Sequence, residues 1–182
     1  MLIRILSFLV DSLFFVLIGA ALMRAWMNRL RINMSVQPGT FVMAVTDWLV
    51  KPLRRVLPKA VAQARVDWAS LLAAFLLALV YALVWAALFG ALLNLTAAML
   101  PALVLVGLKM LLRVALQLAF MVVLVYAIIS WLQPGSPMYG LLGRLAEPLL
   151  APLRRIIPAI GGVDLSALVL LLLLQIGLMV LG

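Results

Sequence analysis

The sequence predicts an all-α integral membrane protein with about four transmembrane helices, and its composition, charge distribution and internal repeat each support that prediction. Of 182 residues, 69% are hydrophobic and 10% are charged, whereas soluble domains are roughly half apolar and a quarter charged. Such a chain cannot cover a soluble surface, so its long apolar segments are expected to cross a bilayer as helices. We predict two parallel repeats, 1–93 and 94–182, each with two spans joined by a cytoplasmic, interfacial amphipathic segment.

The distribution of basic residues favours four spans. The predicted spans lie near 5–26, 68–93, 103–132 and 165–181, and the predicted cytoplasmic loops are 27–67 and 133–164. The stretch 68–132 also allows three shorter helices, which would make five spans and place the two loops on opposite sides. Because most of the 14 basic residues lie in or beside these loops, the positive-inside rule favours four spans with both termini outside.

Missing residue types exclude several kinds of chemistry. The chain contains neither Cys nor His, which excludes thiol chemistry, disulfides, axial His ligation of haem and the common zinc sites. It also removes the commonest general base. We therefore expect no enzyme activity, no cofactor and no metal site. The net charge of +9 indicates contact with anionic lipid headgroups rather than with nucleic acid.

One motif occurs twice. The residues Pro-Leu-Arg-Arg stand at 52–55 and again one hundred positions later, at 152–155. We call residues 47–67 the first copy and residues 147–164 the second copy. The motif residues that we predict to act as a structural or interaction site are Asp47, Pro52, Arg54, Arg55, Pro58, Asp67, Glu147, Pro152, Arg154, Arg155, Pro158, Gly161, Gly162 and Asp164.

Acidic residues are concentrated in this motif. The chain has five of them, and four occupy matching places, Asp47 with Glu147 and Asp67 with Asp164. One interpretation of the arginine pairs is a topological anchor, which needs only positive charge. We favour an ordered network in which each arginine pair lies near the two acids of its own copy. A binding or catalytic role is the third interpretation.

The residues around the motif predict local structure. Asp67 and Asp164 precede apolar runs, where a carboxylate can cap the first turn of a helix. An amphipathic helix before Pro52 is predicted to end near Val50 or Lys51, because proline disrupts a helix interior. In the second copy Pro148 is predicted to open the segment, Pro158 to close it, and the two glycines to turn the chain.

Three charged residues outside the motif lie in or beside predicted spans. Asp11 interrupts the first span, and intramembrane carboxylates usually have a partner. Lys109 and Arg113 are four residues apart and therefore share one helix face. We predict that Asp11 pairs with Lys109 or Arg113. The alternative is that Asp11 lies shallow enough to reach interfacial water.

The motif resembles the signature of the YggT family of small bacterial inner-membrane proteins. The segment "EPLLAPLRRIIPAIGGVDLSALVLLLLLQ" at 147–175, which contains the second copy, is close to that signature. The segment "TDWLVKPLRRVLPKAVAQARVDWASLL" at 46–72, which contains the first copy, has "KAVAQAR" where the signature has a Gly-rich turn. The resemblance implies a two-repeat inner-membrane protein, with loose links to osmotic tolerance, cell division and, in plastids, membrane-complex assembly.

Two functions remain open at the level of sequence. The first is a non-enzymatic scaffold or assembly factor whose basic loops dock a membrane protein or complex. The second is a small oligomeric transporter or channel for osmotic or ion homeostasis. Polar residues that could line a path are scarce in the apolar segments, which favours the scaffold.

Overall fold

The computed structural model describes residues 1–58, 66–89, 99–157 and 165–181. Within these ranges the regular secondary structure is helical, as the composition predicts. The six helices are α1 Leu2–Arg29, α2 Gly39–Val56, α3 Trp68–Leu88, α4 Leu100–Leu132, α5 Pro137–Arg154 and α6 Leu165–Leu181.

Three of these helices are long and apolar enough to cross a membrane. They are α1, α3 and α4, with 28, 21 and 33 residues, and a bilayer core needs about 20 apolar residues. The apolar helix α6 is shorter, at 17 residues. The described part of the chain therefore carries apolar helices at all four predicted positions, and three of them are long enough to cross a membrane. The count of four spans stays a prediction, because α6 is at the lower limit of length.

The chain divides into two compact units, Met1–Val114 and Ala115–Gly182. In the first unit α1 packs against α2 and α3, and α2 also packs against α3. Its core contains many small side chains, and Ala21, Ala73 and Ala78 are fully enclosed. Small residues let helix backbones approach closely. A side chain at Gly107 of α4 would approach the backbone carbonyl oxygen of Ala78 to 3.0 Å.

In the second unit α5 packs against α6. The inner face of α5 consists of four buried side chains, Leu142, Leu145, Ala146 and Leu150. The start of α5 is capped by the Ser136 hydroxyl, which accepts a hydrogen bond from the backbone N–H of Tyr139 at 3.2 Å. Pro137 occupies the first turn, where a missing N–H costs nothing.

The predicted helix limits at the motif were wrong. Helix α2 continues to Val56 with Pro52 inside it, and α5 begins at Pro137, so that Pro148 and Pro152 lie in its interior. A helical proline leaves the carbonyl four residues earlier without its donor. All three prolines are exposed, so those carbonyls lie on outer faces where solvent or headgroups can supply a donor.

Helix α2 ends just before the second proline of the first copy, Pro58. Helix α2 stops at Val56, and Leu57 is extended with φ −67° and ψ 140°. The residue before a proline avoids helical geometry because its backbone would clash with the proline ring. Pro58 therefore ends the helix, although Pro52 does not.

Candidate functional site

Asp47, the first acidic residue of the first copy, forms ion pairs with a residue of α1 and with a residue of its own helix, α2. A carboxylate oxygen of Asp47 accepts a hydrogen bond from the Arg24 guanidinium at 2.8 Å, and the other lies 2.7 Å from Nζ of Lys51. The same Arg24 nitrogen donates to Oγ1 of Thr46 at 2.7 Å. The predicted partners, Arg54 and Arg55, are not the residues that bind Asp47.

Arg24 is buried at the contact between α1 and α2. The Arg24 side chain is 6% exposed, and a buried guanidinium is stable only when it is paired and hydrogen-bonded. The Nε atom of Arg24 is buried without a hydrogen-bond partner among the described residues. Arg24 therefore depends on its two α2 acceptors, Thr46 and Asp47.

The second acidic residue joins three helices at one carboxylate. Asp67 is the N-cap of α3, and it accepts from the Ser70 backbone N–H at 3.3 Å and from the Ser70 hydroxyl at 2.8 Å. It also accepts from the Asn28 amide of α1 and, at 2.9 Å, from Arg54 of α2. The predicted cap and the predicted proximity of Arg54 to Asp67 are both confirmed.

The surroundings of both carboxylates keep them ionised. The hydrogen bond from Lys51 lowers the pKa of Asp47 below its ordinary value, and Arg24 adds to that effect. Burial alone would raise the pKa of Asp67. Hydrogen bonds from Ser70 and Asn28 and the Arg54 charge outweigh burial and leave that pKa lowered. Both acids therefore act as anionic acceptors at neutral pH.

The second copy uses its acid differently. Arg154 donates to Glu147 at 2.7 Å and to the Tyr126 hydroxyl of α4 at 3.2 Å. The Tyr126 ring stacks on Tyr139, with centroids 5.4 Å apart. The predicted pairing of Arg154 with Glu147 is confirmed. Glu147 is 57% exposed, so this pair lies at the surface of its unit.

The two members of each arginine pair have different surroundings. Arg54 and Arg154 are bound to carboxylates of their own units. Arg54 is also exposed, as Arg55 and Arg155 are, but among the described residues Arg55 and Arg155 form no ion pair. This division is the same in both copies, and the sequence alone did not separate the two members of a pair.

Asp11 of α1 is hydrogen-bonded to α3, and both helices are long and apolar enough to cross a membrane. It accepts hydrogen bonds from the Tyr81 hydroxyl and from the Trp85 indole N–H of α3, each at 3.0 Å. Phe14 of α1 packs edge-on against the Tyr81 ring. Arg113, one of the two predicted partners, lies within electrostatic range of Tyr81. The hydrogen bonds described for Asp11 thus come from α3, and the pairing with Lys109 or Arg113 stays a prediction.

Some predicted residues lie outside the described part of the chain. Pro158, Gly161, Gly162 and Asp164 fall between 158 and 164. Their turn, cap and pairing roles therefore remain predictions.

Several polar contacts were not predicted from the sequence. The partners that were missed are Arg24, Asn28, Thr46, Lys51, Ser70, Tyr81, Trp85 and Tyr126. Arg24 and Asn28 were detectable in principle, because they are polar residues four apart at the end of an apolar span and share one helix face. In the described ranges no group of three or more acidic residues is placed to hold a metal ion.

The doubled motif and its helices match a known family model over residues 1–88 and again over 105–182. The chain belongs to the CCB3/YggT family. The resemblance drawn from the motif is therefore confirmed. The family match covers both units, and its two parts each contain one copy of the motif.

Curated CCB3/YggT relatives share most of the chain. "Uncharacterized protein YggT" of Escherichia coli strain K12 is 38% identical over 172 residues, covering 94% of this chain and 86% of that protein. "Uncharacterized protein in proC 3'region" of Vibrio alginolyticus is 35% identical over 178 residues, with 97% and 93% covered. No solved structure matches the chain. The relatives' names specify neither an activity nor a ligand.

Proposed function

We propose that this CCB3/YggT protein is a non-enzymatic scaffold or assembly factor of the bacterial inner membrane. In this proposal its basic loops are cytoplasmic, its termini are periplasmic, and the loops dock an acidic surface of another membrane protein or complex. The family resemblance suggests osmotic tolerance or cell-envelope and division processes as the setting for that partner.

The division within each arginine pair carries the proposal. The first arginine of each pair stabilises the fold through a carboxylate, and the second is left exposed at the end of an amphipathic helix. A topological anchor would need positive charge at these places but no acids. A docking surface needs an arginine held at a fixed position, because preorganisation lowers the entropic cost of binding.

The contacts of α2 support such preorganisation. Two carboxylates, Asp47 and Asp67, join α2 to α1 and to the start of α3. Arg55 therefore projects from a helix that is fixed at both contacts. The transport alternative has less support, since Asp11, its best intramembrane candidate, is engaged by two donors that join α1 to α3.

The experiment compares the exposed arginines of the motif with exposed arginines outside it. R55Q/R155Q removes the proposed docking charges, and R29Q/R31Q removes the same charge at the end of α1 and just after it. Each chain is cross-linked in cells, purified in mild detergent and analysed by mass spectrometry. We expect cross-linked partners to fall at least about tenfold in R55Q/R155Q, equivalent to about 1.4 kcal/mol, and to persist in R29Q/R31Q.

Equal losses in both double variants would show that general charge, not the motif, attracts the partner. Unchanged cross-linking in R55Q/R155Q would overturn the docking proposal. A solute flux in reconstituted vesicles that D11N abolishes would favour the transporter instead.

A further inference from the structure

We propose that α2 lies in the membrane leaflet, with phospholipid covering the outer stripe formed by Phe41, Trp48 and Val56. The lipid contributes its acyl chains and glycerol region to that contact. This inference concerns the membrane surface of α2 and does not depend on the scaffold proposal.

Helix α2 presents apolar residues on two different sides. Its inner face, with Val42 and Val50, is buried against the other helices of the first unit. The outer stripe is spaced by seven and eight residues, which is about two helical turns. Phe41, Trp48 and Val56 are 55%, 61% and 83% exposed, so the described residues of the first unit leave them largely uncovered.

The depth of α2 follows from what its inner face touches. Val50 on that inner face belongs to one buried cluster with Ala21 of α1 and with Ala73 and Leu77 of α3. At 1.5 Å per residue, Ala73 and Leu77 lie roughly 8 and 14 Å along α3 from Trp68. Because α3 is about as long as the hydrocarbon core is thick, these contacts lie at the depth of lipid. Helix α2 therefore packs beside the spans rather than above them.

The indole N–H of the exposed Trp48 needs no water as its hydrogen-bond acceptor. The indole N–H of Trp48 donates to the backbone carbonyl of Val45 at 2.8 Å. Within a bilayer every polar hydrogen needs an internal partner, and this one has its partner on its own helix. An exposed Trp48 can thus contact acyl chains without losing a hydrogen bond.

Charge on the adjoining edge of α2 matches the headgroup layer. Lys51 and Arg55 are exposed beside the outer stripe, and the nearby Asp47 is already bound by Arg24 and Lys51. Lysine and arginine can keep their charges at the headgroups while their methylene stems follow apolar surface. This combination of apolar stripe and basic edge is typical of helices that lie in an anionic leaflet.

Single-cysteine spin labelling tests the position of α2, because the natural chain has no cysteine. F41C and V56C place labels on the outer stripe, and A44C and R55C are matched controls at exposed positions on the basic edge. The chains are reconstituted into vesicles containing phosphatidylglycerol. Electron paramagnetic resonance then measures collisions of each label with oxygen, which partitions into lipid, and with a water-soluble nickel chelate. We expect oxygen to dominate at F41C and V56C and nickel at A44C and R55C.

Two outcomes would overturn the proposal. Nickel dominance at F41C and V56C would place the stripe in water, and protection from both reagents would show that a protein or a second copy covers it. A second measurement uses the natural chain, without labels on the outer stripe. Lipids brominated on their acyl chains should quench tryptophan fluorescence more in the natural chain than in W48F. Equal quenched fractions would also contradict the proposal.

Discussion

The first and second copies of the motif have the same buried face but different ion pairs. Thr46 and Ala146 are both buried, as are Val50 and Leu150, each pair one hundred positions apart. The apolar residues thus seat α2 and α5 in the same rotational setting within their own units. What differs is the residue at the buried polar position, since the Thr46 hydroxyl binds Arg24 and an alanine has no such group.

One neighbouring position accounts for part of the difference in the partners of the two acids. Asp47 has Lys51 four residues later, at the spacing that favours an ion pair on a helix. The matching residue of the second copy is Ala151. Glu147 is longer than aspartate by one methylene and binds Arg154, seven residues on. The comparison shows that one arginine motif can be built into two networks by changes at flanking positions.

Replacing Asp67 should break the first copy most severely. D67A removes the cap of α3 and leaves Asn28 and Arg54 without their shared acceptor, so we expect a loss of about 3 kcal/mol. Hydrogen–deuterium exchange should rise in α2 while α5 in the same chain serves as the internal control. Equal loss of protection in both helices would contradict the assignment of Asp67 to the first unit.

The same carboxylate predicts a pH dependence. Because the folded-state pKa of Asp67 is lowered, its contribution is fully present above the unfolded-state pKa of about 3.9 and is lost as pH falls through the folded value. Protection of α2 should therefore decline below about pH 4 in the natural chain. In D67N the part of this decline that comes from Asp67 should be absent. If the protection of α2 fell with pH in D67N as it does in the natural chain, ionisation of Asp67 would not be its cause.

Replacing Arg24 should have the next largest effect. R24M keeps an unbranched apolar side chain but leaves Asp47 with Lys51 alone and Thr46 without its donor. We expect a loss of about 2 kcal/mol in the unfolding free energy of α2, less than for a fully buried pair. In detergent unfolding the double variant R24M/D47N should lose less than the sum of the two single losses, because both changes remove the same contact between Arg24 and Asp47. Additive losses from R24M and D47N would show that the two residues do not interact.

The second copy should respond weakly to the corresponding changes. Since Glu147 is largely exposed, E147Q should cost about 0–1 kcal/mol. A151K would supply the lysine that the first copy has, and should add about 0.3–0.5 kcal/mol through a pair with Glu147. Hydrogen–deuterium exchange measures both effects, since protection of α5 should fall slightly in E147Q and rise slightly in A151K. If E147Q destabilised α5 as much as D67A destabilises α2, the proposed difference between the copies would be wrong.

Local rules predicted some of this structure and missed the rest for a physical reason. Apolar length located the membrane-type helices, and the position of Asp67 before an apolar run revealed its cap. The helix limit at Pro52 was wrong because the rule for proline does not consider whether the freed carbonyl faces solvent. The spacing of Arg24 and Asn28 marks a polar face of α1, but it does not specify that their partners are Asp47 and Asp67 on other segments.

The shared carboxylate of Asp67 also bears on how the chain is made. Synthesis runs from the N-terminus, so Asn28 and Arg54 have left the ribosome before Asp67 does. When α3 begins to enter the bilayer, Asn28 and Arg54, the two donors to Asp67 that lie outside α3, are therefore already present in the nascent chain. The insertion of α3 can then be completed against α1 and α2, and the first unit can close before α6 has been translated.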